Sequence, residues 1–162
     1  GVRVLFGFYG WKTGARQIAQ WVYHIGDTGF KDNWFRQGDE GYIYHVQDGP
    51  LPSLMWEAVR EGIDDYRYIH LLGQMVEAGK ASPKPGDRAA ASEAEQALSR
   101  VLSNIGWRFQ ALQRRDRTPP PHPSALHEWR WQVVQQILNL QAHVSAAAYK
   151  TSARLKEGKD EA

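Results

Sequence analysis

Residues 53–79 constrain this chain more than any other stretch. Met55, Trp56, Val59, Ile63, Tyr66, Ile69, Leu72 and Val76 recur at steps of three and four, which lays one apolar stripe along a helix of 3.6 residues per turn. Ser53 stands where an N-cap hydroxyl would satisfy a first-turn N–H, and Glu57 sits in the first turn, where the helix dipole favours an anion. Gly79 before Lys80 marks the expected end. Ahead of this helix, Gly41-Tyr42-Ile43-Tyr44-His45-Val46 alternates aromatic and β-branched residues and predicts a strand. Gln47-Asp48-Gly49-Pro50-Leu51-Pro52 reads as the turn between them. Strand, short turn and helix make half of a βα unit.

The same stretch carries a family resemblance. Pro52-Ser53-Leu54, then Trp56-Glu57-Ala58-Val59-Arg60-Glu61-Gly62-Ile63-Asp64-Asp65-Tyr66-Arg67-Tyr68, resembles the closing strand and helix of the catalytic domain in glycoside hydrolase family 123 and its large relative, the domain of unknown function numbered 4091. Trp11-Lys12-Thr13-Gly14-Ala15 and Trp21-Val22-Tyr23 resemble the preceding elements in the same order, and the run from Trp129-Arg130-Trp131 to Leu138-Asn139-Leu140 loosely resembles the final helix. The likeness covers roughly residues 1–141, more strongly in the first half. Where the family often carries a basic residue two positions after that serine, this chain has Met55.

The resemblance implies the C-terminal fragment of a TIM-like (β/α)8 barrel, an α/β fold, of which this chain holds the last two strands and the closing helix. A helical extension follows, so the chain is expected to be mostly α-helical. Residues 2–11 would be a strand by propensity, but the resemblance makes them the helix before the penultimate strand. Val2, Leu5, Phe6 and Tyr9 fit helical spacing, while Gly7 and Gly10 each weaken such a helix by about 1 kcal/mol relative to Ala. Gly14 would end it. Residues 17–24, with Ile18, Ala19, Trp21, Val22 and Tyr23, are then the penultimate strand, apolar enough for a parallel strand covered on both faces. Residues 25–37 read as a loop, whose Trp34 and Phe35 favour a functional role.

Beyond Gly79, Ala81-Ser82-Pro83-Lys84-Pro85-Gly86-Asp87 has the composition of a solvated linker. Ser92-Glu93-Ala94-Glu95 has the form of a capping box ahead of a helix whose stripe is Ala94, Ala97, Leu98, Val101, Leu102, Ile105, Phe109 and Leu112. Four prolines among residues 119–123 stiffen the next connection. Ser124 is positioned to cap a last helix with Leu126, Trp129, Val133, Val134, Ile137, Leu138 and Leu140 inward. The expected organisation is the barrel part over 1–80, the helical extension over 81–149 and a polar tail over 150–162. Because the sequence opens at Gly1 inside an apolar run, it is expected to be a piece of a longer protein.

The charge balance, 20 basic against 18 acidic residues, lacks the basic surplus of a nucleic-acid binder. With no cysteine there is no disulfide, thiolate nucleophile or cysteine-ligated zinc. No apolar run reaches the roughly 18 residues of a membrane span. Seven Trp and seven Tyr supply rings suited both to cores and to stacking on sugars.

Two acidic pairs invite a catalytic reading. Asp64 and Asp65 are neighbours on the helix and point about 100° apart, so they cannot flank one scissile bond; Arg60 and Arg67 are spaced to pair with Asp64. Asp39-Glu40 matches the adjacent pair the resemblance implies, in which acidic residues assist the substrate's own acetamido group. It precedes a strand, however, whereas barrel chemistry sits at strand C-termini. The family's pair lies on an earlier strand that this chain does not contain, so no catalytic residue is assigned. The candidate substrate-binding residues are Trp21, Tyr23 and His24 at the end of one strand, Tyr44 and His45 at the end of the next, and Trp34 on the loop. His24 and His45 lack a third ligand at a telling interval, so neither a metal nor a cofactor is called for.

The expected function is a part of a retaining glycoside hydrolase, of N-acetylhexosamine type by resemblance. It would supply pocket wall and barrel closure, with a carbohydrate substrate and the remainder of the parent chain as partners, and be catalytically incomplete alone. The alternative is a non-enzymatic helical protein-interaction module.

Overall fold

The computed structural model describes residues 2–19, 43–46, 49–105 and 121–145. They are mostly helical. In chain order they form α1 (Val2–Val4), a π-helical turn (Leu5–Tyr9), α2 (Gly10–Lys12), β1 (Ile43–Val46), β2 (Gly49–Pro52), α3 (Leu54–Lys80), α4 (Pro85–Ser103) and α5 (Pro123–Gln141). The chain divides into two compact units, Gly1–Asp64 and Asp65–Ala162, with the division inside α3.

In the first unit, residues 2–12 are helical, as the family resemblance implied against strand propensity. The helix breaks at Gly7 (φ −103°, ψ −105°) and ends at Gly14, whose φ of 65° lies in the left-handed region that favours glycine. Val4 and Phe8 are buried. A Cβ added at Gly10 would lie 2.9 Å from Ile18 Cδ1, so residue 18 folds back onto α2. That packing explains a correction. Residues 17–19 are irregular, not the start of a strand over 17–24; residues 20–24 lie outside the described residues.

The sheet is a second correction. Residues 49–52 are not merely a turn. They form β2, antiparallel to β1 in the register Ile43↔Pro52, Tyr44↔Leu51, His45↔Pro50 and Val46↔Gly49. Pro50 and Pro52, two apart, share one edge of β2, and a proline has no N–H to give a ladder. The ladder bonds therefore fall to the Tyr44↔Leu51 and Val46↔Gly49 pairs, and the outer edge of β2 has no donor to offer a further strand. Among the described residues this hairpin is the whole sheet, so they form no barrel.

Helix α3 begins as its sequence foretold: the Trp56 N–H donates to Ser53 Oγ (3.2 Å) and the Glu57 N–H to Ser53 O (3.1 Å). Its buried line differs from the apolar stripe. It runs Val59, Gly62, Asp65, Ile69, Leu72, Val76 and Gly79, steps of three and four that admit two glycines and an aspartate, while Ile63 is 39% exposed. The helix runs one residue past Gly79, to Lys80, close to the expected end. A Cβ at Gly79 would lie 2.8 Å from Ala91 Cβ, 3.3 Å from Asp87 O and 3.4 Å from Val144 Cγ2, so this glycine serves a close crossing.

The second unit has its own core of Ile69, Leu72, Met75 and Val76 from α3, Ala91, Ala94 and Val101 from α4, and Leu126, Trp129, Val133, Ile137 and Leu140 from α5. Helix α4 starts a full turn and more before the expected capping box: Lys84 is its N-cap and Pro85 its first residue, a position where a missing N–H costs nothing. Ser92 is inside the helix, and the described helix ends at Ser103. In α5 the N-cap is His122, whose Nδ1 accepts from the Ser124 N–H, rather than Ser124 itself. Leu138, expected inward, is 52% exposed.

Candidate functional site

The conspicuous sequence in the described residues is Arg60-Glu61-Gly62-Ile63-Asp64-Asp65-Tyr66-Arg67-Tyr68 on α3, and its Arg60, Glu61, Gly62, Asp65 and Tyr68 are engaged in packing or pairing. Gly62 is where the N-terminal helical segment crosses α3: a Cβ there would meet Arg3 O at 2.6 Å and Phe6 Cβ at 2.9 Å. Arg3 and Glu61 form an ion pair at 4.0 Å across the same crossing. Arg60, expected beside Asp64, reaches the carboxylate of Glu57 one turn earlier at 2.7 Å.

Asp65 is the residue that sequence reasoning missed. Its side chain is fully buried and accepts from Nε of Arg130 on α5, 65 positions away, at 2.5 Å. The Arg130 guanidinium also stands 5.9 Å from the Tyr68 ring centroid, within cation–π range. Only the burial of a charged position on an otherwise apolar line could have signalled a partner, and nothing local could have named it.

A second polar cluster joins Ser82, Asp87 and His143. Ser82 Oγ donates to Asp87 Oδ2 at 2.7 Å, and His143 Nδ1 lies 3.5 Å from Asp87 Oδ1. The Lys84 N–H donates to Ser82 Oγ, and Arg88 Nη1 to the carbonyls of Ser82 and Pro83. Serine hydrolysis places histidine between serine and aspartate, so that the ring takes the hydroxyl proton. Here the aspartate is in the middle, and the cluster fastens the turn before α4 instead. The Ser82 hydroxyl, followed by the Lys84 cation and the hydrogen bond of His143, holds the Asp87 carboxyl below the usual aspartate range. On the same unit Lys80 donates to Glu95 at 2.6 Å, and that bond raises its pKa above the ordinary lysine value.

The strand β1, the capped helix and the motif follow one another in the order that the sequence resemblance implied, with β2 in place of the expected turn. Residues 7–72 match the family model of glycoside hydrolase 123, catalytic domain. The stretch is glycoside hydrolase 123-like. Its matched part ends within α3, so α4 and α5, including the looser likeness at 129–140, lie beyond it. No curated protein and no solved structure matches the chain.

Within this glycoside hydrolase 123-like stretch, Tyr44 and His45 are adjacent positions of β1, opposite Leu51 and Pro50. Trp21, Tyr23, His24 and Trp34, and the Asp39-Glu40 pair, lie outside the described residues. Among the described residues no group of three His, Asp or Glu could hold a metal ion, and no helix is long and apolar enough to cross a membrane.

Proposed function

We propose that this chain is the closing part of a carbohydrate-cleaving catalytic domain, with residues 1–80 the C-terminal part of a TIM-like barrel and residues 81–149 a helical extension. The match of residues 7–72 to the glycoside hydrolase 123 catalytic domain carries the reading. In it, Trp21, Tyr23, His24, Trp34, Tyr44 and His45 form pocket wall, ring faces stacking on a sugar and ring edges bonding its hydroxyls. In this reading the acidic pair that assists an acetamido group belongs to the remainder of the parent chain, and the part described here contributes glycan binding. The substrate class is an N-acetylhexosaminide, cleaved with retention by the complete enzyme.

The test is calorimetric titration of the chain with N-acetylglucosamine oligosaccharides. Binding that weakens at least 10-fold in Trp21→Ala, with an unchanged circular dichroism spectrum, supports the wall role; equal affinity in the variant refutes it. A second reading, a helical protein-interaction module, is favoured by the separate core that α3, α4 and α5 build in the second unit. It predicts no glycan binding by the folded chain.

A further inference from the structure

We infer that the outer face of α5, from Trp131 to Leu138, is a self-association surface on which a second copy of this chain docks antiparallel. The inference is independent of whether the chain binds carbohydrate. Trp131, Gln135 and Leu138 stand at steps of four and three, so they share one side of the helix. Val133, Ile137 and Leu140 are buried on the other side, while Trp131 and Leu138 are each more than half exposed. The surroundings set this face apart. Residues 131–142 contain no charged side chain, and those of them on α5 that are exposed are Trp, Leu, Gln and Asn. The exposed positions of α3 and α4, by contrast, include Arg60, Arg67, Glu77, Arg88, Glu93 and Arg100, as the solvated face of a helix does.

A helix surface is convex and cannot enclose a small molecule as a pocket does; it fits another helix. Charge and symmetry select a second copy as that helix. A neutral face meets its own copy without opposing like charges, and an amide carries both donor and acceptor, so Gln135 can bond its counterpart. The pattern is also its own complement. A two-fold axis beside residues 134 and 135 sets Trp131 of one copy against Leu138 of the other, and the reverse, which is the isologous arrangement of a symmetric dimer. One stripe on a 19-residue helix buries less than the roughly 1,200 Å² of a stable interface, so the dimer is weak and transient.

The test is analytical ultracentrifugation of the full chain over a concentration series reaching about 1 mM. The weight-average mass is expected to rise with concentration above the 18.4 kDa of one chain. Trp131→Glu and Leu138→Lys change exposed positions, so each should keep the wild-type circular dichroism spectrum. Each is expected to weaken dimerisation by about 10-fold or more. Mixed together, the two variants are expected to associate more tightly than either does alone, because the antiparallel register sets the two introduced charges, of opposite sign, against each other. Leu54→Glu, at an exposed apolar residue of the first unit, is expected to leave dimerisation unchanged. A chain that stays monomeric at about 1 mM leaves this face to a different protein and overturns the inference. So does a dimer that responds to Leu54→Glu and not to Trp131→Glu, or one that the mixture of variants fails to regain.

Discussion

Gly62→Ala sets two effects of known sign against each other. Alanine is the better helix former by about 1 kcal/mol, so on propensity alone the change in mid-α3 should stabilise. The added Cβ, however, would sit 2.6 Å from Arg3 O and 2.9 Å from Phe6 Cβ, where real Cβ atoms essentially never come within 3.0 Å. Neither neighbour is the tip of a flexible side chain, so the N-terminal helical segment must move away from α3. Overpacking of this kind costs about 1–3 kcal/mol, and with backbone as the obstacle the upper half applies, leaving a net loss of about 1–2 kcal/mol. For a unit the size of Gly1–Asp64, each kcal/mol shifts the unfolding midpoint by roughly 4–8 °C. The assay is differential scanning calorimetry of the chain beside Gly86→Ala, a helical glycine with nothing within 4 Å of its added Cβ. That control should hold its midpoint or gain. A Gly62→Ala variant melting at or above the wild type would refute the claim that a close crossing selects glycine here.

Two tryptophans two positions apart on α5 should behave oppositely. Trp129→Ala, at a site 9% exposed, should cost about 3–5 kcal/mol, whereas Trp131→Ala, 59% exposed, should fall within about 0.5 kcal/mol of the wild type by urea denaturation. Ser53→Ala removes the acceptor of the Trp56 N–H and should lower stability by about 1 kcal/mol, with Ser53→Asp recovering most of it. Acid should act through Asp87. Its folded pKa is lowered, so its contribution is complete above the unfolded aspartate value and disappears as pH falls through the folded one; Asp87→Asn should flatten the acid limb of the midpoint-against-pH curve.

The parts of this protein written in local sequence are those that depend on neighbours three or four positions away. The Ser53 cap, the extent of α3, and the inward set Leu126, Trp129, Val133, Ile137 and Leu140 on α5 follow from periodicity and capping chemistry alone. The order of residues along 7–72 likewise matches the family model of the glycoside hydrolase 123 catalytic domain. Tertiary structure decided what no window of sequence contains. Pro50 and Pro52 signal a turn, yet pairing with β1 makes an edge strand of them, because their missing donors face outward. Gly62 and Gly79 look like weak points in a helix and are the places where other segments come closest. Asp65 interrupts an apolar line and is buried there because Arg130, 65 residues later, neutralises it. Short-range patterns fix which residues coil together; the identity of a buried partner depends on which distant surface arrives, and that is decided only when the chain closes on itself.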